Sequence, residues 1–383
     1  MEKNTVQVIP DDKVGLKRYN PYLMTAAVPA PPDRDLVAET VRSKLSFRST
    51  LVSLFPLTGD ASNRRYFRLD LDGASPRSLV LMQLASPEAF KQSEEAVSRS
   101  KTHIAELPFI NILNHLMKAD VSVPSLHYYD AAAGLLYLED FGDLTLAEAC
   151  RTASSDRVRN FYRQAIDTLV GIHTRATEPP NAGCIAFGRS FDVPLLMWEF
   201  DHFLEYGIAA RQDTPMGDGG CQAVRREFEH IAKELAALPR VFTHRDYHSR
   251  NLMVDGTRLG VIDFQDALMG PAVYDLASLL RDAYIALDEA LIDEAIRQYV
   301  RLMAEHGQRM PGVETFRRQF DLMSIQRNLK AAGRFVYIDR VKHNPKFLAD
   351  IPRVLGYVKR NLAKYPELAT LRQHLTPYVP ELQ

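Results

Sequence analysis

The segment VFTHRDYHSRNLMVDGTRLGVIDFQD, residues 241–266, holds the side chains best suited to chemistry. Its two short apolar runs, NLMV and LGVIDF, are separated by DGTR, which is a strong signal for a β-hairpin. Pairing Val254 with Leu259 brings Asn251 opposite Ile262 and therefore beside Asp263. The sequence thus predicts two oxygen-bearing side chains at the open end of one hairpin.

Asp246 lies on the preceding loop, close enough in sequence to Asn251 to face the same point. Asp, Asn and Asp together form a hard-oxygen set that suits a magnesium ion. Phosphoryl transfer needs a carboxylate that orients the attacking hydroxyl and accepts its proton, and an Asn and an Asp that hold the metal on the phosphates. A lone Asp or Asn here would indicate an ordinary surface turn, but the ordered pattern HxDxxxxN followed by an apolar strand ending in Asp favours a kinase.

Composition limits the other possibilities. A chain of 383 residues is the length of about two domains, and 46% hydrophobic with 25% charged residues is typical of a globular protein. The net charge of -1 provides no basic field for nucleic acid or anionic lipid, so neither is an expected partner. The three cysteines lie more than thirty residues apart, which predicts reduced thiols. The sequence lacks a signal peptide and a membrane-spanning run, which predicts a cytoplasmic protein.

The elements that must position these residues fall into three parts. Residues 1–35 are rich in proline and predict an extended arm, residues 36–140 predict a helix, five short strands and further helical stretches, and residues 141–383 are mostly helical. Strands first and helices later indicate two packed units with a boundary near residue 140.

The motif residues resemble the aminoglycoside phosphotransferase family, whose members are relatives of the protein kinases. HRDYHSRN resembles its catalytic loop and VIDF its metal-binding strand, with GP and YDLA continuing the pattern. The resemblance implies that Asp246 is the catalytic base, that Asn251 and Asp263 bind Mg²⁺, and that His244 and Asp275 support the loop. Asp275 could equally cap the helix that follows.

The resemblance also implies an α+β, protein-kinase-like bilobal fold, with a small antiparallel-sheet N-lobe that binds ATP and a larger, mainly helical C-lobe. The loop LTGDASN falls where the family covers the ATP phosphates, and LEDFG falls where the lobes join and adenine binds. The implied nucleotide-binding residues are Gly59, Asp60, Ser62, Asn63 and Glu139. Alone, the loop would suggest a plain hairpin turn.

The sequence departs from the family at two linked positions. The lysine expected on the third strand is replaced by Met82 or Gln83, and the helix glutamate that pairs with it is replaced by Asn111. The paired loss avoids an uncompensated buried charge. In one interpretation the metal, the loop and one of the arginines at 64, 65 and 68 hold the phosphates. In the other the chain is a non-catalytic pseudokinase, which the presence of all three motif residues disfavours.

The segments GDASNRRYFRL, VIDFQDALMGPAVYDLASLLRDAY, QRNLKAAGRF and FLADIPRVLGYVKRNL narrow the resemblance within the family. They most resemble the anomeric sugar kinases of cell-wall recycling, which phosphorylate N-acetylmuramate and N-acetylglucosamine. Residues 301–364 contain 14 Lys and Arg against 5 Asp and Glu, which suits an acidic sugar better than a cationic antibiotic, although such charges often only solvate a helix. Arg327, Lys330 and Arg334 share one helical face and are candidate substrate contacts. A kinase for an aminoglycoside or aminoalcohol is the alternative. The sequence leaves the oligomeric state open.

Overall fold

The computed structural model describes residues 30–57, 64–73, 75–84, 106–213, 215–256 and 258–383. They form a small lobe built on an antiparallel sheet and a larger helical lobe, so the predicted α+β, kinase-like fold is confirmed. None of the helices in these ranges is long and apolar enough to cross a membrane. The arm predicted for residues 1–35 lies mostly outside the described residues.

The small lobe packs one face of its sheet against a helix. Helix α1, Arg34–Lys44, begins after Asp33, whose side chain accepts the backbone N–H of Asp35. The sheet has the order β1-β2-β3-β5-β4, with each neighbouring pair antiparallel. Its strands are β1 Leu51–Leu57, β2 Arg65–Leu71, β3 Ser78–Gln83, β4 Leu126–Asp130 and β5 Leu135–Glu139.

Side-chain alternation gives the sheet two apolar faces. Phe67 and Leu69 on β2 pack with Leu79 and Leu81 on β3 beneath α1 and form a small core of their own. Met82 points the other way and belongs to the main core, which continues into the large lobe. The sheet is therefore fixed to the rest of the molecule through its second face.

Helix α2, Pro108–Lys118, begins with a proline at its first turn and joins the two lobes. The Asn111 amide donates to the Gly183 carbonyl over 2.9 Å and accepts the Ile185 N–H over 2.8 Å. Phe109 packs against Phe264, with ring centroids 4.9 Å apart. These contacts hold α2 against the large lobe and next to the strand that leads into the site.

The large lobe is mainly helical and matches the long helices that the sequence predicts. Its helices are α3 Leu146–Thr152, α4 Ser155–Arg175, α5 Val193–His202, α6 Asp218–Ala236, α7 Val273–Leu280, α8 Glu289–Glu305, α9 Val313–Lys342, α10 Ile351–Lys364 and α11 Ala369–Leu375. Helix α5 continues as a π-helical segment, Phe203–Ala210. Helices α3, α5 and α11 and this segment are not among the helices that the sequence predicts.

Two small antiparallel pairs carry the motif residues. Strands β7, Leu252–Asp255, and β8, Arg258–Val261, pair Val254 with Leu259, as predicted. Gly256 sits in the turn with φ +59°, a conformation that favours glycine. Strand β6, Arg240–Thr243, pairs with β9, Leu268–Pro271, which lies beyond the segment in which strands were expected.

The long helix α9 approaches the π-helical segment closely because it carries Gly333. A Cβ at this position would lie 2.9 Å from the Cα of Phe203, so a larger residue would push the two elements apart. This approach positions the preceding turns of α9, with Arg327 and Lys330, below the motif loop.

Candidate active site

The motif loop between β6 and β7 is fixed by one buried carboxylate. Asp275, fully buried in the first turn of α7, accepts the backbone N–H of His244 over 2.7 Å and that of Arg245 over 2.9 Å. His173, also fully buried, lies 3.2 Å from the same carboxylate. Arg245 has φ +77°, an unusual conformation for a non-glycine residue, and the two hydrogen bonds hold it there.

His244 links this loop to the strand that ends at Asp263. Its Nδ1 accepts the backbone N–H of Asp246 over 3.2 Å, so the ring proton resides on Nε2. Nε2 lies 3.0 Å from the Ile262 carbonyl and donates to it. The predicted supporting residues His244 and Asp275 thus both contact the backbone that carries the motif side chains.

Asn251 and Asp263 meet at the open end of the β7–β8 hairpin. The Asn251 Nδ2 lies 2.9 Å from the Asp246 carbonyl and 3.5 Å from Asp263 Oδ2. Asp263 adopts φ +63°, so its backbone departs from the extended conformation of the preceding strand. Its Oδ1 accepts the Gln265 amide over 2.8 Å. The structure therefore brings together the three motif residues predicted from the sequence.

This donor set fits a magnesium ion. One carboxylate and one amide oxygen give the two protein ligands that Mg²⁺ takes when water and phosphate complete its shell. No group of three or more His, Cys, Asp or Glu side chains able to hold a metal occurs in the described ranges, so a transition-metal cage is not the arrangement found there.

Asp246 lies in a strongly cationic environment. Its carboxylate is 37% exposed, and Arg327 Nη2 lies 3.6 Å from its Oδ1. Burial raises the pKa of Asp246, but the charges of Lys330 and Arg327 outweigh it and hold that pKa well below its ordinary value. Asp246 is therefore a carboxylate at neutral pH, able to accept a hydrogen bond from a hydroxyl.

Two cations of the site, Arg245 and Lys330, are held by Glu199, a fully buried residue of α5. Its carboxylate lies 3.2 Å from Arg245 Nη2 and 3.3 Å from Lys330 Nζ, and it accepts the Gln326 amide over 2.8 Å. Burial lowers the pKa of Lys330, but Glu199 outweighs this effect and raises it above its ordinary value. Lys330 therefore remains charged beside Asp246.

The third predicted substrate contact lies further along the helix. Arg334 is one turn beyond Lys330, and its guanidinium lies 4.7 Å from the ring centroid of Tyr337. The pKa of His202 is well below its ordinary value, mainly because the ring is buried. The charges of Arg334 and Lys330 lower it further. Of the three predicted contacts, Arg327 and Lys330 are the two that act electrostatically on Asp246.

The nucleotide side is only partly described. Gly59, Asp60, Ser62 and Asn63 lie outside the described residues, so their predicted role remains a prediction. Glu139 lies at the end of β5, where its N–H donates to the Ser125 carbonyl over 2.9 Å. That N–H is therefore already hydrogen-bonded within the small lobe, and the role of Glu139 in adenine binding stays a prediction.

Two buried acidic residues that the sequence analysis did not identify support the site. Glu199 lies in α5, which gave no motif signal. Asp282 is buried after α7, where its carboxylate accepts the N–H of Ser249 over 2.9 Å and that of Tyr284 over 2.8 Å. Both are acidic residues within or just after an apolar helix, in LLMWEF and SLLRDAY, and a charged residue in such a segment was the signal available.

The chain matches the phosphotransferase enzyme family over residues 53–311 and belongs to that family. The resemblance seen in its motifs, and the enzyme class it implies, are thereby confirmed. The chain is 31% identical to the N-acetylmuramate/N-acetylglucosamine kinase of Pseudomonas aeruginosa over 84% of this chain and 87% of that protein. It is also 31% identical to the kinase of the same name from Pseudomonas putida, over 83% and 86% respectively.

Solved structures share the fold. An ADP-bound aminoglycoside phosphotransferase matches with a TM-score of 0.55 and 13% identity, over 85% of this chain and 98% of that one. A choline kinase of Cryptosporidium parvum matches with a TM-score of 0.58 and 11% identity, over 88% and 99%. At such low identity the likeness concerns the fold alone.

Proposed function

We propose that this protein is an ATP- and Mg²⁺-dependent kinase that transfers the γ-phosphate to the anomeric hydroxyl of an amino sugar, N-acetylmuramate or N-acetylglucosamine. The observation that carries the proposal is the contact of the Asn251 amide with the Asp246 carbonyl and with the Asp263 carboxylate, supported by 31% identity with kinases of that name over most of the chain. We further predict a cytoplasmic location, as the sequence indicates.

The motif residues have separate tasks in this proposal. Asn251 and Asp263 hold the magnesium ion, which neutralises charge on the nucleotide phosphates when bound. Asp246 accepts a hydrogen bond from the acceptor hydroxyl, orients it, and takes its proton. Its low pKa makes it a weak base, which suits a loose transition state in which positioning contributes more than early proton removal.

The charges near Asp246 favour an acidic acceptor. Lys330 and Arg327 are the cations with the strongest electrostatic effect on Asp246, and Arg327 Nη2 lies 3.6 Å from its Oδ1. A carboxylate such as the lactyl group of N-acetylmuramate is attracted to such a site, whereas a polycationic aminoglycoside is repelled. Arg327 and Lys330 are the proposed contacts, and Arg334 extends the same helix face.

ADP release from Mg-ATP tests the acceptor. The purified protein is incubated separately with N-acetylmuramate, N-acetylglucosamine, choline and kanamycin, and turnover is expected with the two amino sugars. Turnover with only choline or kanamycin would replace the sugar assignment by an aminoalcohol or aminoglycoside kinase. Absence of turnover with all acceptors, together with retained ATP binding, would indicate a pseudokinase.

The position of phosphorylation is tested with a substrate analogue. The 1,5-anhydro form of N-acetylglucosamine lacks the anomeric hydroxyl but keeps the others. It should not release ADP, and the reducing end of the natural sugar should disappear in step with ADP formation. Phosphorylation of the anhydro sugar would place the reaction at another hydroxyl.

A further inference from the structure

The third strand supplies no cation to the nucleotide side of the cleft. Met82 is fully buried in the main core, and the Gln83 amide donates to the Ala30 carbonyl over 2.9 Å. Asn111 donates to the Gly183 carbonyl and accepts the Ile185 N–H, so its amide serves the contact between the lobes. The phosphates of a bound nucleotide therefore require a positive charge from elsewhere in the chain.

Three arginines follow the loop that the family places over the phosphates, and they point in different directions. Arg65 lies on the face of β2 that bears Phe67, with its guanidinium 5.0 Å from the ring centroid. Arg68 lies on the opposite face, bound at 2.6 Å to both Asp140 and Asp143 where the lobes join. Neither is directed at Asp263, the candidate ligand of the metal ion.

Arg64 is directed there. It immediately precedes β2, and its Nη1 lies 3.6 Å from Asp263 Oδ1 with the side chain 23% exposed. Burial lowers the pKa of Arg64, but Tyr66 and Asp263 together raise it above its ordinary value, so the guanidinium is charged. It lies beside the carboxylate that is the candidate ligand of the nucleotide's metal ion.

We propose that Arg64 replaces the missing strand lysine as the cation that binds the nucleotide phosphates. A guanidinium can bind phosphate oxygens through two parallel N–H bonds, which a lysine cannot do. Before nucleotide binds, Arg64 pairs with Asp263. Transfer of the guanidinium to the phosphates then removes one partner of Asp263 Oδ1, which keeps its hydrogen bond from the Gln265 amide. The inference rests on the proposed function only in taking ATP as the phosphate donor, and the acceptor does not enter it.

Calorimetric titration with Mg-ATP and with adenosine, in the absence of any acceptor, tests this role. Arg64→Ala should weaken ATP binding by about tenfold to a hundredfold, as expected for a lost hydrogen bond to a charged group, and leave adenosine affinity unchanged. Arg65→Ala is the matched control, since its guanidinium faces the small core of the lobe, and should bind both ligands as the unmodified protein does.

The test depends on whether Arg64→Ala weakens ATP binding without weakening adenosine binding. Unchanged ATP affinity in Arg64→Ala, or an equal loss for ATP and adenosine, would overturn the proposal. Arg64→Gln removes the charge while keeping most of the side chain, and gives the same reading if the alanine variant does not fold. Failure of the sugar kinase assignment would not alter these titrations, because they contain no acceptor.

Discussion

The guanidinium of Arg327 lies 3.6 Å from the carboxylate of Asp246 and also donates to the Arg245 carbonyl over 3.4 Å. It thereby contacts both the side chain and the backbone of the motif loop. Arg327 is 7% exposed, and its guanidinium lies 5.6 Å from the ring centroid of Tyr274, so its position is restricted. The carboxylate proposed as the base and the cation proposed to contact the acceptor are therefore in direct contact.

Replacing Asp246 by alanine should abolish transfer while preserving nucleotide binding. The carboxylate faces the acceptor, and Asn251 and Asp263 remain to bind the metal and its nucleotide. Loss of general-base and orienting function is expected to lower kcat by roughly 10²–10⁴-fold. ADP release and calorimetric ATP titration measure the two effects. Retained turnover would remove Asp246 from this role.

The pH dependence of kcat/KM should reveal how Lys330 acts. Its charge stabilises the ionised form of Asp246, so Lys330→Met should raise the pKa of Asp246 towards its ordinary value. Because the ionised carboxylate is the active form, the acidic limb of the profile should move to higher pH. Lys118→Met, on an exposed part of α2, is the control and should leave the limb in place. An unmoved limb in Lys330→Met would contradict the electrostatic link.

Asp275 should affect both stability and turnover. Asp275→Ala leaves the backbone N–H groups of His244 and Arg245 buried without acceptors, at a cost of about 1–3 kcal/mol each in the free energy of unfolding. Denaturant unfolding measures the stability, and kcat should fall because the loop that carries Asp246 loosens. Asp275→Asn keeps one oxygen and should have a smaller effect. Full activity in the alanine variant would show that the loop does not depend on this carboxylate.

Glu199 should be needed to keep its cationic partners buried. Glu199→Ala leaves Arg245 and Lys330 without their shared counter-ion, which is expected to cost on the order of 3–5 kcal/mol in unfolding free energy. Glu199→Gln retains the size and part of the hydrogen bonding and should cost less. Glu314→Gln, at an exposed helix start, is the matched control. Equal stability of Glu199→Ala and the unmodified protein would refute the counter-ion role.

The hairpin that carries Asn251 and Asp263 was predictable because its signals are local. The two short apolar runs and the DGTR turn between them determine the pairing of Val254 with Leu259 from adjacent sequence. The five strands and the long helices were predictable from equally local patterns.

Contacts between distant segments were not predictable in this way. The pairing of β6 with β9, and the approach of Glu199 to Lys330, join residues far apart in the chain. Helix α5 is apolar on most sides and lacks a clear period, which is why it and its glutamate were overlooked. Likewise, the sequence offers three arginines as candidate phosphate ligands. Only the orientation of their side chains in the structure distinguishes Arg64 from the other two.

Helix α2 has a consequence for regulation. In protein kinases the corresponding helix carries the glutamate of the ion pair, and its positioning controls activation. Here Asn111 fastens that helix to the Gly183–Ile185 segment, and Phe109 packs on Phe264 beside the metal strand. Swinging α2 outward would break these contacts and expose apolar surface. In the proposed kinase these contacts take the place of that ion pair and keep α2 against the strand that ends at Asp263.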